Sequence, residues 1–65
     1  MRLSDLRERI ELSFGKEWAP SFTRDIAISE LRSKTVNEAL AAGIEHDVIW
    51  KAVCKQCPSE TAQQR

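Results

Sequence analysis

Apolar residues recur at three- and four-residue steps along most of this chain, and two glycines and two prolines cut the pattern into short lengths. Such spacing lines side chains along one face of an α-helix, whereas a half-buried strand needs strict alternation. Leu3, Leu6, Ile10 and Phe14 form the first stripe, with Ser4 as N-cap and Asp5 and Glu8 at the positive end of the helix dipole. The pattern predicts a helix over about 4–14, stopped by Gly15 in a left-handed C-terminal cap. Leu12 falls off the stripe, so it either meets a second element or is exposed.

A second helix is expected from the Trp18–Pro20 region, because proline is tolerated in a first turn. Trp18, Phe22 and Ile26 lie on one stripe, and Ala27, Ile28 and Leu31 lie around the other side. Apolar on more than one side, this reads as the central helix, with Trp18, Phe22, Ile26 and Leu31 in the core. Ile26-Ala27-Ile28 has strand character, but no partner strand is evident. After a connection at Arg32-Ser33-Lys34, Thr35 and Glu38 fit a capping box opening a short helix over 36–42 that stops at Gly43. A last helix runs over about 45–56, with Ile49, Trp50, Val53 and Cys57 inward and Lys51 and Lys55 toward water. Pro58 ends it, because the residue before a proline is pushed out of helical geometry. The expected organisation is an all-α, single small bundle of about four short helices over 1–57, its last pair resembling a helix-turn-helix, with 58–65 a flexible tail.

Size and charge narrow the functions. A chain of 65 residues buries only about 60% of its unfolded surface, so the core is small. Ten basic and ten acidic residues cancel, which removes the general electrostatic footprint of a strong nucleic-acid binder. The N-terminus turns charged at once and reads as no secretory signal. The longest apolar run, 40–44 counting Gly43, is far below the ~20 residues of a membrane span. A cytoplasmic protein with reduced thiols, away from membranes, is the expectation.

The chemistry-bearing residues are few. Cys54 and Cys57 make a C-x-x-C, but a zinc site needs two more ligands and the chain has one histidine and no other cysteine. His46 sits eight residues before Cys54 on the same helix, a rise of about 12 Å. The pair also lies at a helix C-terminus, where the dipole disfavours a thiolate. No nucleophile with an evident base, phosphate-binding glycine loop or carboxylate cluster accompanies His46. No catalytic residue, metal, cofactor or small-molecule substrate is therefore expected, and Trp18 and Trp50 read as core anchors. Arg24 and Asp25, adjacent on one helix, should face apart and pair with neighbouring helices.

Two functional readings remain. One is a non-enzymatic module that docks on another protein through off-stripe apolar residues such as Leu12 and Val48. The other is weak DNA binding by the 35–54 unit, with Arg24, Lys51 and Lys55 on phosphates. Glu38 stands where a helix-turn-helix usually carries an apolar residue, and Glu45 and Asp47 place negative charge at the front of the would-be recognition helix.

Met1-Arg2-Leu3, Phe14-Gly15, Arg24-Asp25, Thr35 with the 38–43 stretch and the 50–54 stretch together resemble an actinobacterial family of short proteins, domain of unknown function 3046. The resemblance covers 1–57 and implies a small helical cytoplasmic protein without an assigned activity. Members often carry a glycine pair at Arg32-Ser33 and prolines at Glu45-His46; those departures affect turn chemistry. In some genomes of the family the gene lies beside that of the strand-exchange recombinase, an association with DNA repair that supplies no site residues.

Overall fold

The computed structural model describes residues 1–64. Five short α-helices and one 3-10 turn follow in order: α1 Leu3–Phe14, α2 Ala19–Asp25, the turn Ser29–Leu31, α3 Val36–Ala41, α4 His46–Gln56 and α5 Pro58–Thr61. The fold is all-α. Leu6 and Ile10 of α1, Phe22 of α2, Ile28, Leu31, Val36, Ala39 and the α4 residues Ile49, Trp50 and Val53 make one shared core. Ile28, Ala39, Ile49 and Val53 are completely enclosed.

The first helix starts earlier than its sequence signal. Arg2, not Ser4, occupies the N-cap in extended conformation, and its N–H donates to the Asp5 carboxylate at 3.3 Å. Ser4 therefore lies inside the first turn rather than at the cap, and Asp5 holds the N–H of the cap residue. At the other end Gly15 takes φ 86° and ψ 153°, a region essentially confined to glycine. The stop is where the sequence places it, but in an extended rather than a left-handed helical form.

The central helix is half as long as its apolar pattern. α2 ends at Asp25, and Ile26 turns extended (φ −91°, ψ 115°). A helix carried on to Leu31 would have left part of its apolar surface uncovered. Breaking it lets Ile28 and Leu31 rotate into the core, at 0% and 4% exposure, while Ala27 faces water. Ile28 does find a partner strand residue: it forms an isolated antiparallel bridge with Lys34, and its N–H donates to the Lys34 carbonyl at 2.9 Å. Gln56 of α4 completes the arrangement. Its side-chain carbonyl accepts from the Ser29 N–H and its amide donates to the Ala27 carbonyl, both at 2.9 Å. Trp18 is not in the core. It stands at the N-cap of α2, 47% exposed.

The α3 boundaries follow the sequence closely. The Thr35 hydroxyl accepts from the Glu38 N–H at 3.1 Å and the Glu38 carboxylate accepts from the Thr35 N–H at 2.9 Å. At its end the N–H groups of Gly43 and Ile44 donate to the Leu40 and Ala39 carbonyls, each at 3.1 Å, the paired bonds of a Schellman stop. Lys51 and Lys55 are exposed as expected.

Beyond Cys57 the chain does not trail away. Pro58 ends α4 but opens α5, which packs on both α1 and α4. Thr61 is fully buried, and its hydroxyl donates to the Cys57 carbonyl at 2.8 Å. The loose tail expected over 58–65 is thus replaced by packed structure through Thr61, while Arg65 lies outside the described residues.

Candidate functional site

The structure separates the residues grouped by the two sequence readings. Val48, 48% exposed, lines a shallow depression of about 200 Å3 with Glu30, Lys51, Ala52 and Lys55. Leu12, 61% exposed, lines another with Asp5, Glu8, Arg9 and Gln64. Arg24 borders a third, beside Arg7, Pro20 and Asn37. Val48, Lys51 and Lys55 therefore share a face of α4, and neither Leu12 nor Arg24 joins them.

Two of the three cations assigned to phosphates are engaged within the chain. Lys55 Nζ lies 3.4 Å from Glu30 Oε1. Arg24 forks onto Asp25, with Nε to Oδ1 at 3.1 Å and the second nitrogen to Oδ2 at 3.0 Å. These neighbours do face each other, contrary to the expectation from helix geometry, because α2 ends at Asp25 and the long arginine side chain folds over that end. The hydrogen bond raises the guanidinium above its ordinary value and lowers the carboxyl below its own. Both groups are open to water, so the pair is screened.

Cys54 and Cys57 are free thiols, the first buried and the second half-buried. Burial pushes the Cys57 thiol up, and the Glu60 carboxylate adds to the effect. His46 Nδ1 is 3.2 Å from the Met1 carbonyl oxygen, a contact that ties the start of α4 to the start of the chain. Among the described residues no three His, Cys, Asp or Glu side chains are placed to hold a metal ion together. No helix among them is long and apolar enough to cross a membrane.

The most distinctive surface is one the sequence reading did not assemble. Phe14, at the end of α1, and Phe22, in the middle of α2, stack with ring centroids 4.1 Å apart and planes 17° from parallel. Around them Ser13, Trp18, Ile26, Cys57 and Glu60 line an open groove of about 330 Å3. Local structure explains the composition. The Gly15 turn reverses the chain, and the Ala19 N–H donates to the Gly15 carbonyl at 2.9 Å, which places Trp18 just outside α2. The break at Ile26 leaves that residue half-buried at the edge, and α5 brings Glu60 to the groove lining. One signal in the sequence pointed here: Pro20 in a first turn starts its helix next to Ala19, which leaves Trp18 at the cap and not on an inward face.

The chain is thus a small all-α domain with an exposed tryptophan beside an apolar groove. The chain belongs to the family described as "Protein of unknown function (DUF3046)", whose model matches residues 1–59. No curated protein and no solved structure matches the chain.

Proposed function

We propose that the protein is a non-enzymatic interaction module of the cytoplasm that docks on another protein through the Trp18 groove. The observation that carries this reading is Trp18 itself. The core is formed without it, yet it stands 47% exposed and lines the same groove as the Phe14–Phe22 stack. Large apolar side chains left at the rim of an apolar depression mark association surfaces, and tryptophan is among the residues most enriched at binding hot spots. The groove's volume of about 330 Å3 is at the lower end of the ~300–1,000 Å3 of small-molecule sites, and it is open. It suits a protruding side chain better than an enclosed substrate.

The alternative, weak DNA binding in a recombination or repair context, rests on Lys51 and Lys55 beside Val48 on α4. Against it stand Lys55's pairing with Glu30 and the exposed Glu45 and Asp47 at the front of α4, where phosphates would approach. Affinity capture from a native cell extract with the wild type and Trp18→Ala, each with excess duplex DNA, decides between them. The expected result is a protein retained by the wild type, lost with W18A and indifferent to DNA. Equal retention by both baits would remove the Trp18 groove as the docking surface. Retention of no protein by either, together with binding of duplex DNA to the purified chain at ~50 mM salt, would replace docking by the DNA reading.

A further inference from the structure

Among the described residues that line the Trp18 groove, Glu60 is the one charged side chain. It lies in the first turn of α5 and forms no ion pair with another described residue. The rest of the lining is apolar apart from the Ser13 hydroxyl and the Cys57 thiol. The Ser13 hydroxyl is already donated, to the Arg9 carbonyl at 2.7 Å.

An apolar trough with one negative charge at its rim fits an extended basic side chain. The methylene stem of arginine or lysine covers apolar surface while its head stays at the water boundary. Trp18 favours the same occupant, because a cation over an aromatic face is drawn to the ring quadrupole, and tryptophan is the strongest such ring. The chain already uses this contact once, with the Arg9 guanidinium 5.8 Å from the centroid of the Trp50 ring. A neutral apolar anchor in the groove would strip water from Glu60 without replacing it, a loss that a cation avoids. Arginine is the better cation here, since its planar group stacks on an indole and presents paired donors to a carboxylate.

We propose that the groove reads a basic side chain, arginine above lysine, presented by a partner protein, with Glu60 as the residue that selects the charge and Trp18 as the platform. This rests on the reading of the chain as a protein-docking module and supplies the chemistry of the partner.

The test is a titration of the isotope-labelled full chain, followed by NMR, with the blocked peptides Ala-Leu-Xaa-Leu-Ala in which Xaa is arginine, lysine, citrulline, norleucine or glutamate. The arginine peptide is expected to shift the Trp18 indole N–H and the Cys57 and Glu60 amides. It should bind about fivefold or more tightly than the citrulline peptide, the size expected of an exposed cation–π contact plus an exposed ion pair. Glu60→Gln should cut the preference for arginine over citrulline to about twofold, the part left by the cation–π contact with Trp18, and Glu60→Lys should weaken the arginine peptide further and favour glutamate. Both changes are at an exposed position and leave the fold in place, which the dispersion of the same spectra verifies.

Equal binding of citrulline or norleucine to the wild type would overturn the proposal, as would shifts confined to residues outside the groove or no shift with any peptide. Concentration-dependent shifts of the groove resonances without peptide would also overturn it, making a second copy of the chain the occupant. Failure of this assignment is separable from failure of docking. Capture that needs Trp18 but ignores E60Q keeps the docking reading and removes the charge selection, whereas capture indifferent to Trp18 removes the docking reading itself.

Discussion

At the residue scale the backbone turns on four positions with positive φ: Gly15, Arg32, Ser33 and Gly43. The two glycines were legible because only glycine adopts such angles without strain, so a glycine after an apolar stripe has a mechanical reason to be there. Arg32 and Ser33 were not, since their side chains give no hint of left-handed backbone. Their φ values of 57° and 64° follow from the bridge between Ile28 and Lys34, which forces the chain to reverse within the intervening residues. Two opposite outcomes are expected from substitutions. Gly15→Ala should destabilise by about 1–3 kcal/mol, although no atom lies within 4 Å of the new Cβ, because the cost is in the backbone alone. Arg32→Gly and Ser33→Gly should each raise stability, since a left-handed residue bearing a Cβ costs roughly 1–2 kcal/mol and glycine returns part of that as unfolded-state entropy. Urea denaturation of the three variants measures both signs. A midpoint that falls with R32G would mean the arginine contributes contacts that outweigh its strain.

At the scale of elements, legibility depended on whether the signals were local. α3 was readable at both ends because the capping box and the glycine stop are made within a few residues of each other. The break in α2 was not, because what ends that helix comes from residues up to 29 positions away: the Gln56 amide holds Ala27 and Ser29. The apolar pattern of 26–31 is compatible with a continued helix, and tertiary burial of Ile28 and Leu31 overrides it. Thr35→Ala, which deletes a local cap, is expected to cost about 1 kcal/mol in the urea midpoint. Gln56→Ala acts differently. Each lost hydrogen bond is worth about 0.5–1.5 kcal/mol, and the loss falls on Ala27 and on Ser29 at the start of the 3-10 turn. Amide exchange should therefore quicken at Ser29 more than at Ile49, whose N–H lies within α4 and donates to the Glu45 carbonyl at 3.0 Å. Equal acceleration at both amides would show that Gln56 supports the whole core and not one loop.

At the scale of the whole molecule, a chain this small has no spare surface, and that decides the meaning of its last residues. The radius of gyration, 10.3 Å, is close to the ~10.7 Å expected for a compact chain of this length. The sequence placed the end of the domain at Cys57 because nothing apolar but Ala62 follows. What it could not show is that a threonine can be a core residue when its hydroxyl is satisfied locally. Thr61 is enclosed with its Oγ1 bonded to the Cys57 carbonyl, so its burial leaves no donor unpaired. The same misreading hid the groove. With 58–65 taken as tail and Trp18 as core, Glu60 and Trp18 had no reason to meet, whereas α5 packed on α1 and α4 brings Glu60 into the groove that Trp18 also lines. Deletion of residues 58–65 is accordingly expected to lower stability by about 1–3 kcal/mol, the range of a typical destabilising core change. That is a large share of the roughly 3–10 kcal/mol available to a chain of 65 residues at ~0.05–0.15 kcal/mol each. The shortened chain should also show Trp18 emission unaffected by an arginine peptide that perturbs it in the full chain. Urea unfolding of the two lengths, followed by far-ultraviolet circular dichroism, separates the cases. A shared midpoint would make α5 an appendage, and a lowered one makes it the element that closes the core, whose packing also holds Glu60 in the groove.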